Sequence, residues 1–159
     1  MKQFDIHFLI GNQLYTFMIK QCKLLIFCLV LNSYSIAQSF NIQLKVEGID
    51  EVKGEICIGI YGNQEDYSNS KNRVWGDCIM VDDDHFEYLI EGIPAGHYAI
   101  SIFQDIDING ELNTNWIGMP TEPFGFSNNA KMRMGPPKYE DASFEIKEDT
   151  ETTINLIKL

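Results

Sequence analysis

From residue 42 onward the chain alternates between apolar and polar positions. Ile42, Leu44 and Val46 are separated by Gln43, Lys45 and Glu47, the two-residue period of a strand with one face buried. Gly48-Ile49-Asp50 opens a turn, and a second strand starts at Gly54 with Ile56, Ile58 and Ile60 on one face. Asn63 to Arg73 is polar and rich in Asn and Ser, the composition of a loop. A third, weaker strand is expected around Cys78-Ile79-Met80-Val81, ended by Asp82-Asp83-Asp84. Alternation resumes over His85 to Ile90, with Phe86, Tyr88 and Ile90 facing one way. The segment Gly92-Ile93-Pro94-Ala95-Gly96 then turns the chain into Tyr98 to Phe103, which is apolar on both faces, as a central strand should be. Periodicity vanishes between Asp105 and Asp141 and returns in 142–146 and 153–157. An ordered excursion of that length inside a compact domain tends to carry function or to pack on itself. About seven short strands without a sustained helical period predict an all-β fold, a single antiparallel β-sandwich with one long ordered loop.

The 159 residues suffice for one domain. A formal charge of −11 argues against nucleic acid, since no basic patch is visible to meet phosphates. It also disfavours an anionic membrane surface. Acidity of this size favours solubility and the capture of cations. The N-terminal part reads as a separate object. Lys20 to Lys23 form a basic segment, Leu24 to Leu31 an apolar one, and Ser35-Ile36-Ala37 a peptidase site. These are the three parts of a secretory leader, with cleavage expected after Ala37. Residues 1–37 are therefore expected to be an upstream extension plus signal peptide, with the true start at Met1 or Met18, and 38–159 the mature domain. The apolar run falls short of the 20 or so residues that cross a bilayer, so no transmembrane segment is expected in the mature chain. An uncleaved anchor is the alternative. A lipid-modified Cys28 is not, because Phe27 is bulky where a small residue is needed. Export places the domain in the periplasm or outside the cell.

Cys57 and Cys78 are the two cysteines left after the leader. An oxidising compartment would join them, or they are two thiols buried in separate strands. A zinc site is not expected, because two cysteines and two histidines lack ligand spacing.

Two stretches could carry chemistry. The first, Asp105-Ile106-Asp107-Ile108-Asn109-Gly110-Glu111-Leu112-Asn113, matches the first half of a calcium loop, D-x-D-x-N-G. Alternate oxygen-bearing side chains converge on one point, and the glycine permits the sharp turn. Asp105, Asp107 and Asn109 would offer side-chain oxygens, Glu111 its carbonyl and Asn113 a water-mediated contact. The twelfth position is Trp116 rather than a bidentate Glu, so this is not an EF-hand, and a looser calcium site or a plain Asx-rich turn remains. The second stretch, Trp116 to Ala130, interleaves aromatics, prolines and amides. Trp116, Phe124 and Phe126 could stack on a sugar or peptide, with Glu122, Asn128 and Asn129 bonding its polar groups. Alternatively the aromatics dock the loop and the amides cap its backbone.

The run from Gly92 to Ala130, GIPAGHYAISIFQDIDINGELNTNWIGMPTEPFGFSNNA, together with Pro137-Lys138-Tyr139-Glu140-Asp141-Ala142-Ser143-Phe144, resembles a bacterial family catalogued as domain of unknown function number 2141. The resemblance spans roughly residues 40–158. It implies a secreted or periplasmic β-sandwich of immunoglobulin-like or prealbumin-like type, similar to transthyretin-like and carboxypeptidase-regulatory-like modules, and it implies no activity. Gln104 departs from the family pattern, in which His is common, so no histidine chemistry is expected there.

The leading expectation is a non-catalytic exported module that binds calcium, a glycan or an envelope protein through the 105–130 loop. One alternative is a metal-dependent hydrolase using the acidic loop with His85 or His97, although no nucleophile elbow, H-E-x-x-H or phosphate loop is present. Another is a structural envelope module pairing through a sheet edge.

Overall fold

A computed structural model describes residues 19–21 and 38–159, Met134 excepted. Apart from residues 19–21, the expected extension and leader lie outside the described residues. The chain divides into two units, Met1–Ala37 and Gln38–Leu159, and every strand among the described residues belongs to the second. Among the described residues no helix is long and apolar enough to cross a membrane.

The second unit is mostly β, in two sheets. The first sheet holds β1 (Ser39–Glu47) between β4 (Phe86–Pro94) and β8 (Thr150–Asn155). β1 buries Ile42, Leu44 and Val46 and turns Lys45 outward, where its ammonium meets Glu151 at 2.8 Å. β1 runs antiparallel to β4, with Val46 opposite Phe86. It runs parallel to β8, with Val46 opposite Ile154. The second sheet has the order β3 (Trp75–Met80), β2 (Glu55–Tyr61), β5 (Gly96–Asp105) and β6 (Phe124–Phe126), and β7 (Phe144–Ile146) pairs with the start of β5.

One core receives side chains from both sheets: Ile42, Leu44, Val46, Ile90 and Ile154 from the first, and Ile56, Ile58, Ile60, Ile100 and Ile102 from the second. The opposite face of the second sheet is covered as well. α1 (Gln64–Asn69), a 3-10 turn (Ser127–Asn129) and α2 (Tyr139–Ala142) pack Tyr67, Phe126, Tyr139 and Ala142 against Tyr61 and Ala99. That second cover is the physical reason β2 and β5 are apolar on both faces.

Three expectations need correction. The described residues form eight strands rather than seven, because β6 lies inside the aperiodic stretch. The β1–β8 pair is parallel, so the strands are not purely antiparallel. The polar stretch after Asn63 contains α1, whose N-terminus is capped by the Asn63 side chain accepting from the Asp66 N–H at 2.9 Å. Six residues are too few to display a helical period.

Cys57 and Cys78 face each other across β2 and β3 and are joined in a disulfide. The bridge closes a segment with a sequence separation of 21, containing α1. Replacing both cysteines with alanine is expected to lower stability by about 3 kcal/mol for a loop of this length. Urea unfolding at equal protein concentration measures it, and an unchanged unfolding free energy would refute it.

Candidate functional site

The long excursion begins where β5 ends. Asp105 is its first residue and has no solvent exposure. Its carboxylate is wrapped by the backbone that follows: Oδ1 accepts from the Asn109 N–H at 3.1 Å and Oδ2 from the Gly110 N–H at 2.6 Å. Such a tight wrap needs left-handed backbone, and Ile108 (φ 58°) and Gly110 (φ 81°) supply it. Asn109 then forms an Asx turn, its Oδ1 accepting from the Glu111 N–H at 2.7 Å. Its amide donates to Asn113 Oδ1 at 3.0 Å, and the Asn113 amide donates to Asp107 Oδ2 at 3.0 Å.

The returning arm contributes Glu122, only 5% exposed. Its Oε1 accepts from the Ile106 N–H at 2.9 Å and its Oε2 from the Asn113 N–H at 2.8 Å. One side chain therefore staples both ends of the Asp107–Leu112 turn. Carboxylate oxygens of Asp105, Asp107 and Glu122 all lie within 4.8 Å of one another. Among the described residues no Lys, Arg or His side chain forms an ion pair with any of the three. Two like charges at that separation repel by about 3 kcal/mol at an effective dielectric constant near 20. Burial pushes the Asp105 carboxyl up, but the N–H groups of Gly110, Asn109 and Ile108, with the Asp107 side chain, together hold it below the usual carboxylate range. Asp105 therefore stays ionised at neutral pH. The donors are all hard oxygens, the set suited to calcium or magnesium rather than to zinc or copper.

The remaining candidates are dispersed. Asn109 and Asn113 spend their amides shaping the loop, and Glu111 is exposed on the rim. Phe124 is buried in the fold, and Phe126 packs edge-on against Tyr67. Asn128 donates to the carbonyls of Asp141 and Ser143, while Asn129 Oδ1 accepts from the Asn155 N–H at 2.8 Å. Asn129 thus ties the excursion to β8, and Asn128 ties it to the end of α2. Ser127 does the same from inside, accepting from the Ile100 N–H and donating to the Ala142 carbonyl. Trp116 is 94% exposed, at a tip held by the Asn115 side chain, which accepts from the N–H groups of Ile117 and Met119.

Neither described histidine joins the carboxylates. His97 sits at the opposite end of β5, about 26 Å away at the rise of a strand. His85 instead pairs with Asp84 at 2.6 Å in an exposed turn. Hydrogen bonding to Asp84, with the charges of Asp84 and Asp83, raises its pKa above the ordinary imidazole value.

Residues 44–155, most of the compact unit, match a family described as "Uncharacterized protein conserved in bacteria (DUF2141)". The chain belongs to that family. No curated protein and no solved structure matches it. The DUF2141 match spans both sheets, the acidic loop and the Asn128–Asn129 ties. Gln104, one residue before Asp105, is buried, and its amide donates to the carbonyls of Glu51 at 2.7 Å and Lys53 at 2.8 Å. In this DUF2141 chain the position anchors the β1–β2 connection.

Glu122 was legible as polar among aromatics but not as a partner of Asp105. The available signal was the missing twelfth ligand of the calcium-like loop, which left room for a carboxylate from further along the chain.

Proposed function

We propose that this DUF2141 chain is an exported, non-catalytic binding module of β-sandwich type, whose 105–130 loop is ordered by calcium held by Asp105, Asp107 and Glu122. The observation that carries the reading is the convergence of these three carboxylates, two of them buried, without a basic partner among the described residues. A divalent cation would turn their mutual repulsion into attraction, and hard oxygen donors are what calcium takes. Export is supported by the leader-like N-terminal sequence and by the Cys57–Cys78 bridge, since disulfides persist in oxidising compartments. The exposed Trp116 tip is the part of the loop left free to meet a glycan or an envelope protein.

The test is thermal unfolding of chelator-treated protein with and without 10 mM calcium, a concentration about 10- to 100-fold above the roughly 10⁻⁴–10⁻³ M dissociation constants of extracellular sites. A stabilisation of about 1.4–2.7 kcal/mol is expected. It should be smaller with magnesium and absent in Asp105→Asn with Asp107→Asn. A melting temperature indifferent to calcium in the parent chain removes the metal from the proposal.

A further inference from the structure

One end of the compact unit gathers exposed apolar side chains. β1, β3, β5 and β8 finish at that end and β2, β4 and β6 begin there, since Glu55 pairs with both Met80 and Asp105, Val46 with both Phe86 and Ile154, and Phe103 with Phe124. Val52, Met80, Ile108, Trp116, Ile117 and Ile157 are all exposed, and each sits in a strand end or connection at that end. The opposite end, where Ile60 meets Trp75, contributes Val74. Exposed apolar residues scattered singly need no explanation, whereas a gathering of them marks an interaction surface.

Trp116 and Ile117, 94% and 60% exposed, form the apex of a tip closed by the bridge between Thr114 and Pro120. Leu112 to Thr121 is uncharged, ten residues between Glu111 and Glu122 in a chain of which 22% are charged. The tip also satisfies its own backbone. Asn115 to Thr121 offers six N–H groups, Pro120 having none, and five are bonded inside the tip. Asn115 donates to the Met119 carbonyl at 2.8 Å, Gly118 to the Asn115 carbonyl at 2.9 Å and Thr121 to the Asn113 carbonyl at 2.8 Å. Ile117 and Met119 donate to Asn115 Oδ1 at 3.1 and 3.0 Å. Backbone paired in this way can leave water without orphaning its donors, the condition for entering a lipid phase. The same bonds count against a glycan, which needs free polar groups: Asn115 Oδ1 already accepts twice, and the Asn113 side chain is spent on Asn109 and Asp107.

We propose that this end of the domain docks on a zwitterionic phospholipid surface, with Trp116 and Ile117 entering the interface. The proposal rests on the reading of the 105–130 loop as the binding part of the domain, and not on the cation. An indole ring is apolar with one N–H, which suits it to the headgroup level. Three residues separate Trp116 from Asn113, whose N–H Glu122 holds. They span at most roughly 10 Å, about the 5–10 Å to which interfacial segments sink. The apolar positions come from separate connections, and a fluid acyl layer accepts them without the matched shape that a protein partner would need. Asp82, Asp83, Asp84, Asp107 and Glu111 are exposed at the same end and repel anionic headgroups, so the surface is one without net charge.

The experiment mixes the full chain, in chelator, with phosphatidylcholine vesicles whose acyl chains carry bromine, a contact quencher of tryptophan. Trp75 and Trp116 are the two tryptophans, and residues 1–37 hold none, so any contact of that segment with lipid is silent. Trp75 lies at the opposite end, against Tyr88. Quenching that saturates with lipid is expected, lost in Trp116→Phe and several-fold smaller in Ile117→Ser at equal lipid. Ile117→Ser should melt with the parent, because its side chain is exposed. Leu89→Ser, exposed in the middle of β4, should leave the quenching unchanged. Unquenched emission at saturating lipid would overturn the proposal and leave the tip to a protein partner. Quenching that survives Trp116→Phe, or an equal loss in Leu89→Ser, would overturn it too. A quenched Trp116 in a chain whose melting temperature ignores calcium removes the cation and keeps the docking, and the reverse pair of results removes the docking alone.

Discussion

Glu122→Ala should cost the domain about 4 kcal/mol, from two charge-assisted hydrogen bonds at roughly 1.5–3 kcal/mol each. Both are bonds from backbone N–H groups, those of Ile106 and Asn113, to a side chain that is almost fully buried. Alanine leaves these two donors without their acceptor, which is worse than never having formed the bonds. Glu122→Gln keeps one acceptor oxygen and turns an NH₂ toward the other donor, so about half the loss is expected. Glu111→Ala, on the exposed rim of the same loop, should change stability by less than about 0.5 kcal/mol. Urea unfolding in the presence of a chelator measures the staple without any cation. A Glu122→Ala protein within 1 kcal/mol or so of the parent would mean that the carboxylate does not hold the turn.

Gly54→Ala is the second large loss expected, again about 4 kcal/mol. Gly54 has φ +73°, where an L side chain costs about 1–2 kcal/mol. Here the space is also taken. A Cβ would stand 2.0 Å from the Asp105 carbonyl oxygen and 2.8 Å from the Ile106 Cα. Those are backbone atoms and cannot swing aside, so the strand end must move, at a further cost of roughly 1–3 kcal/mol. Gly92 is the internal control: its φ is +77°, but nothing lies within 4 Å of its added Cβ. Gly92→Ala should therefore show the dihedral cost alone. Equal losses in the two variants would contradict the close approach at Gly54. Because the displaced atoms belong to Asp105 and its neighbour, Gly54→Ala should also weaken any stabilisation by calcium.

The strands with one face in the core were legible because each wrote its burial into the sequence every second residue, as Ile42, Leu44 and Val46 do. β6 was not, since three residues cannot establish a period and its Gly125 has no side chain to contribute. Its existence depends on tertiary closeness: a Cβ on Gly125 would meet Ile154 Cγ2 at 2.6 Å. α1 was missed for a related reason. Its buried face is one residue, Tyr67, and a single aromatic among polar neighbours carries no periodicity. The first half of the acidic loop was readable because local turn chemistry determines it, the N–H groups of Asn109 and Gly110 both donating to Asp105 within five residues. Glu122 joins Asp105 only after the chain has gone out to Trp116 and come back.

The parallel seam between β1 and β8 has a kinetic consequence. Lys45 and Glu151, which meet across it, are 106 positions apart, so β1 waits for one of its two neighbours until nearly the whole domain has been synthesised. Pairing across such a distance must overcome loop-closure entropy before any contact rewards it, and such topologies fold slowly. Until then β1 has an open edge and the core lacks Ile154. The first sheet of this domain is therefore expected to be completed late in folding, when its last strand pairs with its first.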